Sequence, residues 1–272
     1  MIRIALVLAL VLVPAALADG GPSPGVDQGS YGLLSANGAI RYVTLSGTHS
    51  TVLEAIRTSD GHVLRWRSIP GGWGIPFVTY NGTTGGLARN GRALVLAESA
   101  FVGGLRNRST FAVVDPKTFG YEMISLKGDF AFDALSPDAR RLYLIEHVSA
   151  MNYNRYVVRA YDLKEHTLTP GKIADKTQKG WVMQGFPASR ASTADGRWVY
   201  TLYWNPNGFP FVHALDTVQG VAHCVGIASP AGNQSAVIDY KLAVKGPKLV
   251  VRTSGGALYR VIDRQTWRVT KR

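Results

Sequence analysis

The sequence has one cysteine in 272 residues. No intrachain disulfide can form, and zinc sites built on Cys-x-x-Cys pairs are excluded. Acidic residues are scarce as well: 18 Asp+Glu stand against 30 Lys+Arg, a net charge of +12. Such a balance favours partners or surfaces of opposite sign and says nothing about fold. No amphipathic helical pattern occurs, and beyond the N-terminal region no apolar run approaches the ~20 residues a spanning helix needs. The six histidines, His49, His62, His147, His166, His213 and His223, show no HExxH or paired spacing, so no metal site is expected. Gly-x-Ser-x-Gly, phosphate-loop and dinucleotide signatures are missing too, and no cofactor or catalytic residue is expected. A two-carboxylate glycosidase would need acidic groups on several inner strands, but only Asp129, Asp133 and Asp239 lie near such positions, the first two in one repeat.

What is present begins with an export signal. Met1-Ile2-Arg3 gives a positive start, Ile4 to Val13 an apolar run, and Ala16-Leu17-Ala18 a small-x-small cleavage site. Residues 1–18 are therefore expected to be removed, residues 19–30 to form a flexible N-terminal segment, and residues 31–272 a single domain outside the cytoplasm, secreted or in the cell envelope. The apolar run is too short for a retained anchor, and the lone Cys224 lies far from any lipidation position, so no stable membrane anchor is expected. Cys224 sits in the strand-like run Val221 to Val225 and reads as a small buried hydrophobe with no activating partner.

A repeat of about fifty residues organises the remainder. Its clearest copy is Phe132 to Leu144, a short strand, a tight turn and an alternating strand. Equivalent turns fall at Asn37-Gly38, Asn90-Gly91, Asp195-Gly196 and Gly246-Pro247, and spacings between the anchors Asn37, Asn90, Asp138, Asp195 and Gly246 are 53, 48, 57 and 51. Asn-Gly and Asp-Gly mark hairpins because a type I′ turn needs positive φ at both central residues. A second turn follows each anchor, at Ser59-Asp60-Gly61, Asp115-Pro116-Lys117-Thr118, Asp162-Leu163, Asp216-Thr217 and Asp263-Arg264. Each repeat thus supplies four strands. Four-stranded repeats of this period predict an all-β chain, a β-propeller of five blades with four antiparallel strands each, since a twisted blade buries its faces only against its neighbours. The ring has five complete blades in one frame or is closed by N-terminal strands in another. A β-sandwich is the competing architecture, but it has no reason to repeat one hairpin five times.

Leu135-Ser136-Pro137-Asp138-Ala139-Arg140-Arg141-Leu142-Tyr143-Leu144 and Val113-Val114-Asp115-Pro116-Lys117-Thr118 resemble the repeat of bacterial YVTN-type propellers and their WD-type relatives. Tyr42-Val43-Thr44 and Tyr200-Thr201 fit the same strand. The likeness covers residues 31 to 272 and departs from the pattern at Ala139 in place of glycine, at Gly246-Pro247, at Arg57 in place of aspartate, and in the blade number. It implies a fold; members range from adhesion and scaffold proteins to sugar-lactone hydrolases.

Two groups of candidate ligand-binding residues follow. Long connections gather on one face of a propeller, and here they carry Trp73, Tyr80, Arg106, Arg108, Tyr153, Arg155, Trp181 and Trp204 with few carboxylates. Trp, Tyr and Arg are the strongest interface anchors, though the same aromatics also pack between blades. At the channel mouth, Asp133, Arg190 and Lys241 stand five positions before their turn anchors. They read either as a network that fills a narrow channel or as an anion site in which Asp133 orients Arg190. The sequence thus predicts an exported, monomeric, non-catalytic binding or scaffold protein whose long-loop face engages a protein or an anionic cell-surface polymer. Nucleic acid is not expected, because the chain is exported and its cations are dispersed. The alternative is a secreted hydrolase of a sugar or lactone at the channel mouth.

Overall fold

The tight turns dictate the architecture. In the computed structural model, which describes residues 25–99, 104–149, 155–177, 183–206, 208–231 and 233–271, all five anchor turns contain a residue in the left-handed region: Gly38, Gly91, Ala139, Gly196 and Gly246. The second turn of every repeat does the same at Gly61, Phe119, His166, Gly220 and Trp267. All four non-glycine residues with positive φ therefore occupy repeat turns, where the hairpin geometry overrides the cost of a Cβ. An aspartate stabilises the second turn of every repeat by accepting backbone N–H, as Asp60 does from His62 and Asp263 from Gln265 and Thr266. Such bonds hold the Asp263 carboxyl below the usual range.

Between turns, β-branched and aromatic residues alternate with polar ones and form antiparallel strands. The first sheet contains β2 (Leu33–Leu34), β3 (Ile40–Ser46), β4 (Ser50–Arg57) and β5 (Val63–Pro70), preceded by β1 (Val26–Asp27). β6 (Trp73–Pro76), β7 (Leu94–Glu98), β8 (Arg108–Val114) and β9 (Tyr121–Lys127) form the second sheet, which β1 joins at the β6 edge. The third has β10 (Phe130–Leu135), β11 (Arg141–His147), β12 (Arg155–Asp162) and β13 (Thr167–Leu168), with β14 (Met183–Gln184) also paired to β12. In the fourth are β15 (Phe186–Ser192), β16 (Trp198–Trp204), β17 (Phe211–Asp216) and β18 (Val221–Gly226), and in the fifth β19 (Lys241–Lys245), β20 (Lys248–Arg252), β21 (Leu258–Asp263) and β22 (Val269–Thr270). The fold is a β-propeller of antiparallel sheets, and no helix among the described residues is long and apolar enough to cross a membrane.

Two details differ from the reading of the sequence. Val26 and Asp27, placed there in a flexible segment, form β1, because Asp27 accepts the Gly32 N–H at 2.6 Å and its carbonyl accepts the Thr44 hydroxyl at 2.8 Å. In the second sheet the strand that the repeat places before the Asn90-Gly91 turn shrinks to the isolated bridges Phe77↔Thr84 and Leu87↔Leu94, and β6 pairs with β7 in its stead. Gly86 has φ +117°, and a Cβ there would fall 2.6 Å from the Val95 carbonyl, so the chain departs from a regular ladder at that point.

Four buried clusters hold the sheets together in chain order. Leu53 and Ile69 meet Leu94 and Leu96 between the first and second sheets, while Val95 and Phe111 meet Phe132 and Leu144 between the second and third. Tyr143 and Val158 meet Tyr203 and Leu215 between the third and fourth; Leu202 and Val212 meet Leu242 and Val251 between the fourth and fifth. None of the four contains residues from both the fifth and first sheets.

Candidate functional site

The densest set of chemistry-bearing side chains lies between the third and fourth sheets. Register alone builds one row of it: Arg190 on β15 pairs with Thr201 on β16, Thr201 with His213 on β17, and His213 with Cys224 on β18. Residues directly opposite in antiparallel strands share a face, so these four project together. From the third sheet comes Asp133, the extra residue of a bulge between Phe132 and Ala134. Bulges re-aim side chains, and here both the Asp133 carboxylate and its carbonyl accept the Arg190 guanidinium. Arg190 Nε also donates to Thr201 Oγ1 at 3.0 Å. The side chains of Arg190 and Asp133 are only 9% and 3% exposed, which makes this a buried, mutually satisfied ion pair.

Further along the row, His213 Nδ1 lies 3.5 Å from Cys224 Sγ, and Asp175 accepts the Cys224 N–H at 2.9 Å. A cavity with room for about one water molecule adjoins His213, Cys224, Asp175 and Met183. Burial lowers the His213 imidazole to about 4. It raises the Cys224 thiol to about 12, with Asp175 adding to the rise. At neutral pH the pair is therefore a neutral imidazole beside a protonated thiol, the opposite of the thiolate arrangement a cysteine nucleophile requires. Nearby, Asp129 accepts Arg106 Nε at 2.8 Å and lies 3.4 Å from His147 Nδ1. Desolvation pushes the Asp129 carboxyl upward, but His147 and Arg106 outweigh it and hold it below the usual range.

Of the channel-mouth candidates, the structure brings Asp133 and Arg190 together and leaves Lys241 apart. Lys241 is exposed on the fifth sheet opposite Arg252. The β19–β20 ladder runs without a bulge, and Leu242 is buried against the fourth sheet, so strand alternation turns Lys241 the other way. Among the loop candidates, Tyr80 and Trp204 converge on Phe186, at centroid distances of 5.7 and 5.3 Å. The Tyr80 N–H also donates to the Pro187 carbonyl at 2.9 Å, tying the second sheet to the fourth, and burial raises its phenol to about 12. Trp73 is buried between the first and second sheets, its indole N–H donating to Pro70 at 2.7 Å. Arg106 is engaged by Asp129, Arg108 is exposed and donates to Ser125, and Arg155 is exposed on β12. Tyr153 and Trp181 lie outside the described residues.

Thr201 and His213 escaped sequence reasoning, although a signal existed. Arg190 and Thr201 are equidistant from the Asp195-Gly196 turn, so the hairpin itself fixes their pairing.

A second charge pattern emerges only when the sheets are compared. Residues 241–272 contain nine of the 30 Lys+Arg and one of the 18 Asp+Glu. Among the described residues, seven Lys or Arg side chains pair with carboxylates in the first four sheets and their turns, and none in the fifth does. Exposed cations such as Arg108, Lys127 and Arg155 occur in the other sheets as well, but the fifth is the most one-sided in charge and the one in which no cation has a carboxylate within salt-bridge distance among the described residues.

No protein-family model and no curated protein matches the sequence. Among solved structures, TolB from Acinetobacter baumannii is 12% identical with a TM-score of 0.47, over 88% of this chain and 55% of that one. AztD from Citrobacter koseri is 13% identical at 0.43, over 85% of this chain and 58% of that one. The β-propeller domain of Cps50 (Swd1) from Myceliophteria thermophila is 12% identical at 0.45, over 90% and 65%. The chain thus spans little more than half the length of the first and second of these. At this distance no activity passes from one protein to another.

Proposed function

We propose that this protein is an exported binding or scaffold module that engages a protein or an anionic ligand outside the cytoplasm. The observation that carries the reading is the contrast in charge pairing. Arg190 of the fourth sheet is buried on Asp133 of the third, whereas Lys241, Lys245, Lys248 and Arg252 of the fifth are exposed with no carboxylate in salt-bridge distance among the described residues. Unpaired surface cations raise the local concentration of acidic partners and speed their capture. Arg108 and Arg155, at the starts of β8 and β12, are exposed as well and add to the cationic surface.

The test is a titration of the purified chain against acidic proteins and anionic cell-wall glycans at two salt concentrations, with a panel of sugar and lactone substrates alongside. Salt-sensitive binding without turnover is expected. Turnover that disappears in Asp133→Asn would overturn the reading. N-terminal sequencing of the exported protein should begin at Asp19; a chain that retains Met1 inside the cell would remove the export half of the proposal.

A further inference from the structure

Packing runs from the first sheet to the fifth and then stops. Among the described residues no hydrogen bond, ion pair or ring contact joins the fifth sheet to the first, and none of the four buried clusters spans them. Each strand of the fifth sheet consequently has one dry side and one wet side. Leu242, Leu249, Val251 and Ile262 are 6% exposed or less against the fourth sheet, whereas Ala243, Val250 and Val261 on the other side are only partly covered.

Register gives the free side a definite layout. Lys241 lies opposite Arg252, Ala243 opposite Val250 and Val250 opposite Val261, and Lys245 lies opposite Lys248. Two cationic pairs therefore flank an apolar strip, about 13 Å apart along β19 at the usual rise per residue. Like charges directly opposite each other in a sheet are destabilising; Arg252 donates to the Gly256 carbonyl at 2.8 Å, and no carboxylate lies within salt-bridge distance of the four among the described residues. Asp263, across from Lys248, is the one carboxylate on this side among the described residues. Its oxygen Oδ1 already takes the N–H groups of Gln265 and Thr266 and the Thr266 hydroxyl.

We propose that this free side of the fifth sheet is the docking surface for an acidic polypeptide, seating an apolar ridge on Ala243, Val250 and Val261 and presenting carboxylates to Lys241, Arg252, Lys245 and Lys248. The assignment rests on the binding reading above and names its surface and partner chemistry. An apolar strip with a charged rim is the anatomy of a protein interface. A purely anionic polymer would satisfy the cations and leave the strip wet. A second copy would bring the same positive face and be repelled.

The full chain is titrated with three probes of equal charge: a synthetic peptide in which glutamates flank a Val-Ile-Val segment, polyglutamate, and polyphosphate. The peptide is expected to bind at least tenfold tighter than either polymer. That preference should vanish in K245E/K248E and weaken severalfold in Val250→Thr, while Lys117→Glu, at an exposed turn of the second sheet, should leave it unchanged. Both lysines are exposed, so circular dichroism should show the double variant folded. Equal affinity for the three probes would make the occupant a polymer; a concentration-dependent dimer by sedimentation would make it a second copy. Peptide binding that survives K245E/K248E would overturn the site while leaving the general binding reading in place. Failure of the peptide to bind at all would also overturn the site, whereas the binding reading itself falls only to the turnover experiment.

Discussion

The fourth sheet and the fifth arise from the same repeat yet use their cations in opposite ways. Arg190, on the first strand of the fourth sheet, lies buried on Asp133 of the third. Lys241, on the first strand of the fifth, stands in solvent opposite another cation. Two features separate them: a bulge on each of β10 and β15, which β19 lacks, and a neighbouring sheet on the relevant side. A repeat position therefore has no fixed role. The same kind of residue becomes a locked interior pair where a blade is covered and a solvent-exposed cation where it is not.

Removing the interior pair should have the largest effect. Arg190→Ala leaves Asp133 buried without its partner and should cost about 3–5 kcal/mol in urea unfolding. Replacing both with apolar residues, as in D133L/R190M, should recover most of that loss. If Arg190→Ala retained full stability and instead lost ligand binding, the interior side of the comparison would fail and the anion-site interpretation of Arg190 would replace it.

Next comes pH. His213 titrates near 4 when folded because of burial, against about 6.5 in an unfolded chain. The unfolded state takes up the proton first, so this contribution is complete above about pH 6.5 and is lost as pH falls towards 4, on the order of 2–3 kcal/mol in all. His213→Gln should flatten the stability profile in that window; an unchanged profile would show that the imidazole is not the group responsible.

A smaller gain is expected at the third anchor turn. Ala139 has φ +63° where the other four turns place glycine, and Ala139→Gly should raise stability by about 1 kcal/mol in thermal melts. The smallest effect belongs to the free face. Lys245→Glu replaces a like-charge pair opposite Lys248 with an opposite-charge pair and should stabilise the chain by a few tenths of a kcal/mol, even as it weakens docking. Destabilisation instead would mean that Lys245 is held by contacts within the fold.

Much of the architecture was legible in advance because hairpin turns are local. Asn37-Gly38, Asn90-Gly91 and Asp195-Gly196 each turn the chain with the glycine at positive φ, although the residue before it does not take the positive φ of a type I′ turn. Two of the three channel-mouth residues were legible for the same reason, since counting back from the turns places Asp133 and Arg190 at one height. Lys241 obeyed the same count and went elsewhere, because Asp133 and Arg190 stand six residues before the left-handed residues Ala139 and Gly196 but Lys241 five before Gly246, and a shift of one residue reverses the face. His213 and Cys224 gave no local signal; their meeting depends on pairing between strands.

The sequence by itself thus determined the repeat, its turns, the all-β character and the surplus of positive charge, all of which follow from short-range backbone preference and composition. Only the tertiary structure decided which cations were neutralised. Burial and pairing are properties of neighbouring sheets, and among the described residues the buried cluster of the fifth sheet is shared with the fourth and not with the first.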